Sequence, residues 1–287
     1  MIGRSKEATF SFIRDRIWHK INSWSSKCLS KAGREVLIKS VLQSIPSYIM
    51  SVYLLPNKLV DAMEKMINAF WWGHGGTTIK GLHWLSWERL FVHKNYGGMG
   101  FKDLTSFNVV MLGKQGWKFQ IDNTSLVSRL FKARYFPQCD FLSSRLGPNP
   151  SYVWRSIFSA KIVVKQGVRW RIGSGPSIPL FGASWLKDSC SLSTQSPLYA
   201  PLAHVKVQDI IEPSTKVWND TLISNMFDHN TSQLILNTPL HPLVHEDKII
   251  WKAEKNGSYS VRSAYQICVT KIADDSHLHV PGKWSSI

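Results

Sequence analysis

The chain has 287 residues, enough for one large or two ordinary domains, and 44% of them are apolar with a mean hydropathy of −0.13, a globular balance. Lys and Arg number 35 against 19 Asp and Glu, giving a net charge of +16 and a pI near 9.8. No apolar run approaches the roughly 18 residues of a membrane-spanning helix, and Met1–Lys6 leads into a charged amphipathic stretch rather than a secretory leader. Cys28, Cys139, Cys190 and Cys268 lie 111, 51 and 78 residues apart, so no two have metal-ligand spacing, and a reduced intracellular setting is expected.

The charge is uneven. Residues 1–150 hold 21 basic and 9 acidic side chains, residues 151–287 hold 14 and 10. A basic half of this kind predicts a polyanionic partner, nucleic acid before a membrane surface.

In chain order, Phe10, Ile13, Ile17, Ile21 and Trp24 recur every three or four positions and predict a helix over 7–24. Ser30 can cap a second helix whose apolar face is Leu37, Ile38, Val41, Leu42 and Ile45, with Pro46 ending or kinking it. Leu59, Met63, Met66, Ile67 and Phe70 predict a third over 57–72, stopping at Gly73. Residues 73–102 are Gly- and Trp-rich, with Gly75 and Gly76 before Trp84 and Trp87, and read as irregular loop with tight turns. Helices are expected again over 104–121, 125–136 and 151–166.

The period then changes. Val168–Ile172 alternates as a strand, Gly173-Ser174-Gly175-Pro176 turns the chain, and 187–206 reads as loop or linker. Ile249–Ala253 and Ser258–Val261 flank Asn256-Gly257, which predicts a β-hairpin, with a helix over 261–272 after it. The fold class expected is mainly α: an N-terminal helical bundle over 1–73, a helical Trp/Gly-rich connection over 74–166, an irregular region with short strands over 167–245, and a small α+β C-terminal part with a β-hairpin over 246–287.

Few groupings suggest chemistry. His241 and His245 are four apart, but Pro242 between them disfavours a helix and no third ligand is evident. Gly173-Ser174-Gly175 and Gly97–Gly100 resemble phosphate loops only in composition, and tight turns account for them. Glu246-Asp247 is an adjacent acid pair before a strand. Trp18, Trp24, Trp71, Trp72, Trp84 and Trp87 could stack on bases, although helical spacing makes most of them core; Trp71 and Trp72, being adjacent, cannot share a face. The best signal is the basic N-terminal segment: Arg4, Lys6, Arg14, Arg16, Lys20, Lys27, Lys31, Arg34 and Lys39 against Glu7, Asp15 and Glu35. Arg34 extends the apolar stripe of its helix, so it either snorkels to the surface or points at something anionic.

Nine strings in order carry a family resemblance: Gly3–Lys6, Leu29–Arg34, Ile45–Tyr48, Phe70–Gly73, Gly97–Phe101, Lys132–Phe136, Val153–Ile157, Trp170–Gly175 and Gly257–Tyr265. Together they resemble the plant LINE-type (non-LTR) retrotransposon reverse transcriptases, from the thumb into the start of the reverse-transcriptase zinc-binding domain. The resemblance implies a thumb-like bundle that holds template–primer nucleic acid, RNA or RNA–DNA duplex, through backbone contacts from the nine basic residues. It also implies a nuclear setting. The palm carboxylates of that family, on an aromatic-Ala-Asp-Asp hairpin, have only a decoy here, Ile272-Ala273-Asp274-Asp275, and the family's zinc ligands fall beyond Ile287. The chain is therefore expected to be a fragment, not an enzyme by itself, with no cofactor, metal or evident small-molecule substrate. The other reading is an inactive relic of a decayed element.

Overall fold

The structure is a computed structural model that describes residues 5–25, 28–73, 84–187, 192 and 204–280. It divides into two compact units, 1–166 with 260–287, and 167–259. As the sequence predicts, the described residues are mainly helical with one small two-stranded antiparallel sheet.

In the first unit, α1 (Lys6–Ser25) buries Phe10, Ile13, Ile17 and Ile21 against α4 (Asn57–Trp72), whose Leu59, Met63 and Ile67 are as fully buried. Ser30 caps α2 (Lys31–Leu37) by accepting the Gly33 amide at 3.1 Å. The helix continues as a π segment over Ile38–Leu42, and α3 (Ser47–Met50) begins just past Pro46. The irregular stretch after Gly73 contains the short α5 (Trp87–Phe91) and a 3-10 turn at Lys94–Tyr96.

At the centre lies α6 (Leu104–Ile121), packed by α3, α4, α7 (Leu126–Tyr135), α8 (Tyr152–Ser159) and α12 (Val261–Ile267). Its buried Asn108 accepts the Leu55 amide at 2.8 Å and donates to the carbonyls of Met50 and Tyr53, both at 2.9 Å. Such a residue is tolerated in a core because all these bonds are made. The single helix predicted over 151–166 is broken at Ala160 into α8 and α9 (Lys161–Gly167). α12 runs on as a π segment over Cys268–Ala273.

Several strings that carry the resemblance turn out to be packing elements. Trp154 is fully buried, stacks on Tyr135 with centroids 4.8 Å apart and on Phe136 at 5.5 Å, and donates Nε1–H to the Leu146 carbonyl. Phe101 sits between Trp71 and Trp87, at 5.3 and 5.4 Å. Of the paired tryptophans Trp71 is buried and Trp72 half-buried, while Trp84 is exposed.

In the second unit, β1 (Val168–Arg171) pairs with β2 (Lys248–Trp251), Val168 opposite Trp251 and Arg171 opposite Lys248. The predicted partner of β2 was 258–261. Asn256-Gly257 does turn the chain, with the Gly257 amide on the Glu254 carbonyl and Trp251 N–H on the Gly257 carbonyl across the turn, but the strand that pairs with β2 in register is β1. The more distant strand supplies the full edge. Helices α10 (Asp220–Met226) and α11 (His229–Leu236), capped by Asn219 and Asp228, close a core of Ile172, Leu180, Trp185, Val207, Ile223 and Ile235. The 187–206 loop expectation falls mostly outside the described residues, as do Gly75, Gly76 and Cys190.

Candidate nucleic-acid interface

The basic N-terminal run separates into three groups. Arg4 and Lys27 lie outside the described residues. The α1 members are placed by the helix itself: its apolar stripe faces α4, so the positions off that stripe face outward. Arg16 and Lys20, one turn apart, are exposed and have no acid partner among the described residues. Arg14 pairs with its neighbour Asp15 at 3.1 Å, an exposed contact of little energetic weight. Lys6 holds its ammonium 4.5 Å from the Tyr152 ring centroid. From Lys6 to Lys20 the helix rises roughly 21 Å, the length of about six phosphates on one strand.

The α2 members behave differently. The carbonyl of Trp71 receives Lys31 Nζ at 3.1 Å and an Arg34 guanidinium N–H at 3.4 Å. Trp71 stands in the last turn of α4, where carbonyls lack helical partners and the helix dipole is negative. Gly73 ends that helix at φ +97°, a left-handed conformation that side-chain-bearing residues rarely adopt, so the Gly is needed for conformation. Lys31 also lies 4.8 and 4.7 Å from the Trp71 and Trp72 rings. Burial, reinforced by the charge of Arg34, lowers the Lys31 pKa below the usual lysine value. The anionic target that Arg34's position suggested is thus available inside the protein. Lys39 joins Lys94 on Glu35, each at 2.8 Å. Burial pushes the Glu35 carboxyl up, but the hydrogen bonds and charge of the two lysines outweigh it and hold the group low.

The other sequence candidates also resolve into internal contacts. In the Gly173-Ser174-Gly175 turn the backbone does cradle an anion: Asp247 Oδ1 accepts the amides of Gly173 and Gly175 at 2.8 and 2.9 Å, and Oδ2 accepts Ser177 at 2.9 Å. The loop between His241 and His245 turns its carbonyls to Lys216, whose ammonium donates to His241, Pro242 and Val244. Asp274 caps a short 3-10 helix (Asp275–Leu278) by accepting from Ser276, and Asp275 is buried and paired with His279 at 3.4 Å. No group of three or more potential metal ligands occurs among the described residues. No described helix is long and apolar enough to cross a membrane.

Two curated proteins of Arabidopsis thaliana are similar to this chain. One, named "Putative ribonuclease H protein", is 30% identical over 270 residues, covering 92% of this chain. The chain spans 43% of that relative's length. The other, an uncharacterized mitochondrial protein, is 32% identical over 150 residues, 52% of this chain and 97% of that protein. No family model matches, and no solved structure does. One expectation is overturned by the first relative: a sequence aligned with nearly the whole chain carries an enzyme's name, so the reading of this chain as no enzyme does not stand. The second relative, matched over almost its entire length, shows that this chain belongs to the family of that mitochondrial protein of Arabidopsis thaliana.

Proposed function

We propose that the chain is part of a plant retroelement protein of the LINE reverse-transcriptase type, and that it holds RNA or RNA–DNA duplex along the outward face of α1. The observation that carries this reading is the state of Arg16 and Lys20: exposed, one turn apart, and unanswered by any acid among the described residues. The aligned strings of the sequence support the LINE assignment, and a relative named for a ribonuclease, an activity on nucleic acid, supports the class of partner. Contacts of this kind go to phosphates; they position a duplex without reading its sequence.

Fluorescence anisotropy of the full chain with a labelled RNA–DNA duplex tests the proposal. Each phosphate neutralised releases counterions, so log K should fall against log salt by roughly 0.9 per contact. Three contacts from Arg14, Arg16 and Lys20 correspond to a slope of about −3, with little difference between duplex sequences. Affinity unchanged from low to physiological salt would overturn the assignment.

A further inference from the structure

Within the first unit a cavity of about 900 Å³ opens between the 91–102 segment, the start of α6, and α12 with its π continuation. Sites for small organic ligands typically occupy roughly 300–1,000 Å³ and combine apolar walls with a few fixed polar groups. The walls here are aromatic. Phe107 and Tyr265 meet edge to face at 6.4 Å, and Tyr265 is held by the Asp103 amide, which donates to its hydroxyl at 2.8 Å. Tyr96 stacks on His279 with centroids 4.0 Å apart.

Lys102 stands among these rings. Its ammonium lies 4.1 Å from the Phe107 centroid, and burial pulls its pKa below the usual lysine value. No carboxylate or carbonyl among the described residues reaches it. A ring face offsets only part of the cost of desolvating a cation. Arg262, which lines the cavity from α12, is exposed and equally without an acid partner among the described residues. Among the described residues of the lining the one acid, Asp275, is already engaged by His279.

Two unanswered cations beside aromatic walls suit a molecule that joins a flat ring to an anionic group. We infer that this cavity binds a nucleotide, its base among the aromatic rings and its phosphate on Lys102 and Arg262. This goes beyond the duplex-holding face of α1, since none of the α1 cations lines the cavity. A free mononucleotide and an unpaired nucleotide of a strand share this chemistry.

Isothermal titration calorimetry of the full chain with AMP, adenosine and a single-stranded tetranucleotide tests the inference. AMP should bind at least about tenfold more tightly than adenosine, because only AMP offers an anion to the two cations. Lys102→Met should remove most of that difference, and Arg262→Ala, an exposed change with no hydrogen bond or ion pair to lose among the described residues, should reduce it several-fold. A tetranucleotide bound more tightly than AMP, and weakened by the same variants, identifies a strand as the source; one bound no more tightly identifies the free nucleotide. Equal affinity for AMP and adenosine overturns the inference, as does AMP affinity that neither variant changes. Arg16→Ala with Lys20→Ala should leave AMP binding intact, so the two sites fail or stand separately.

Discussion

On α1, Arg16 and Lys20 stand in solvent with no acid among the described residues to answer them; on α2 and its π continuation, Lys31, Arg34 and Lys39 each reach a protein group. Both sets belong to one basic run in the sequence, and what separates them is the environment. The α2 cations lie beside the C-terminal turn of α4 and the Glu35 carboxylate, which supply the negative potential that a phosphate would. The α1 cations face away from the packed stripe. A basic residue is a candidate for an external polyanion when the fold leaves its charge unanswered, and the same rule holds with the sign reversed at Asp247, whose carboxylate occupies the amide cradle of the 173–177 turn.

The largest expected effect follows from that reversed case. Asp247→Ala leaves three backbone N–H groups of a tight turn without their acceptor, and charge-assisted bonds of this type carry more than neutral ones. The second unit should lose about 3 kcal/mol, seen as a lower urea midpoint by Trp fluorescence, with Asp247→Asn intermediate. An unchanged midpoint would mean that water serves these amides equally well. On α2, Lys31→Met with Arg34→Met should cost about 2 kcal/mol of stability through the lost bonds to Trp71 and the lost complement to the helix dipole. Duplex affinity at a temperature where the variant is folded should hardly change. A large fall in affinity with no loss of stability would erase the distinction between the two helices.

The complementary change is on α1. Arg16→Ala with Lys20→Ala should leave stability within about 0.5 kcal/mol, as exposed unpartnered changes do. Duplex affinity at low salt should fall roughly tenfold, and the salt slope should flatten by about two contacts. Loss of stability without loss of affinity would move the binding face elsewhere.

Helix α1, α4 and α6 were legible in the sequence because a one-sided apolar stripe or a capped run declares itself locally; α6 spans Leu104–Ile121 as expected. The strand partner of β2 was not, because local spacing favours the nearby Asn256-Gly257 turn while the actual register depends on β1, some 80 residues earlier. The break at Ala160 has no Pro or Gly to announce it. Among the site residues, Arg16 and Lys20 could be read as off the apolar stripe, but nothing local tells that Arg34 meets Trp71, 37 residues on. Lys102 shows no signal at all: its setting is assembled from the 91–102 segment and α12, which are far apart in the chain.

Glu64 is the acidic counterpart of the α2 cations and gives the smallest effect. Its carboxylate accepts the Leu104 amide at 2.8 Å, at the start of α6, which Asp103 caps through the amides of Thr105 and Ser106. Burial, opposed by that bond and reinforced by the negative charge of Asp103, pushes its pKa from the usual 4.5 up to about 7. The folded chain therefore keeps a proton that the unfolded chain releases between about pH 4.5 and 7. The stability associated with this group is complete below pH 4.5 and declines as pH rises through 7. Glu64→Gln retains a carbonyl oxygen for the Leu104 amide but never ionises. It should match the parent near pH 4.5 and exceed it at pH 8 by on the order of 1 kcal/mol, a figure reduced from the full shift because the carboxyl is partly open to solvent. Thermal unfolding across that range checks it. A Gln variant that is less stable than the parent at pH 8 would show that the ionised carboxylate is worth more to the α6 terminus than its burial costs, which would place Glu64 with Asp247 as an anion the fold favours.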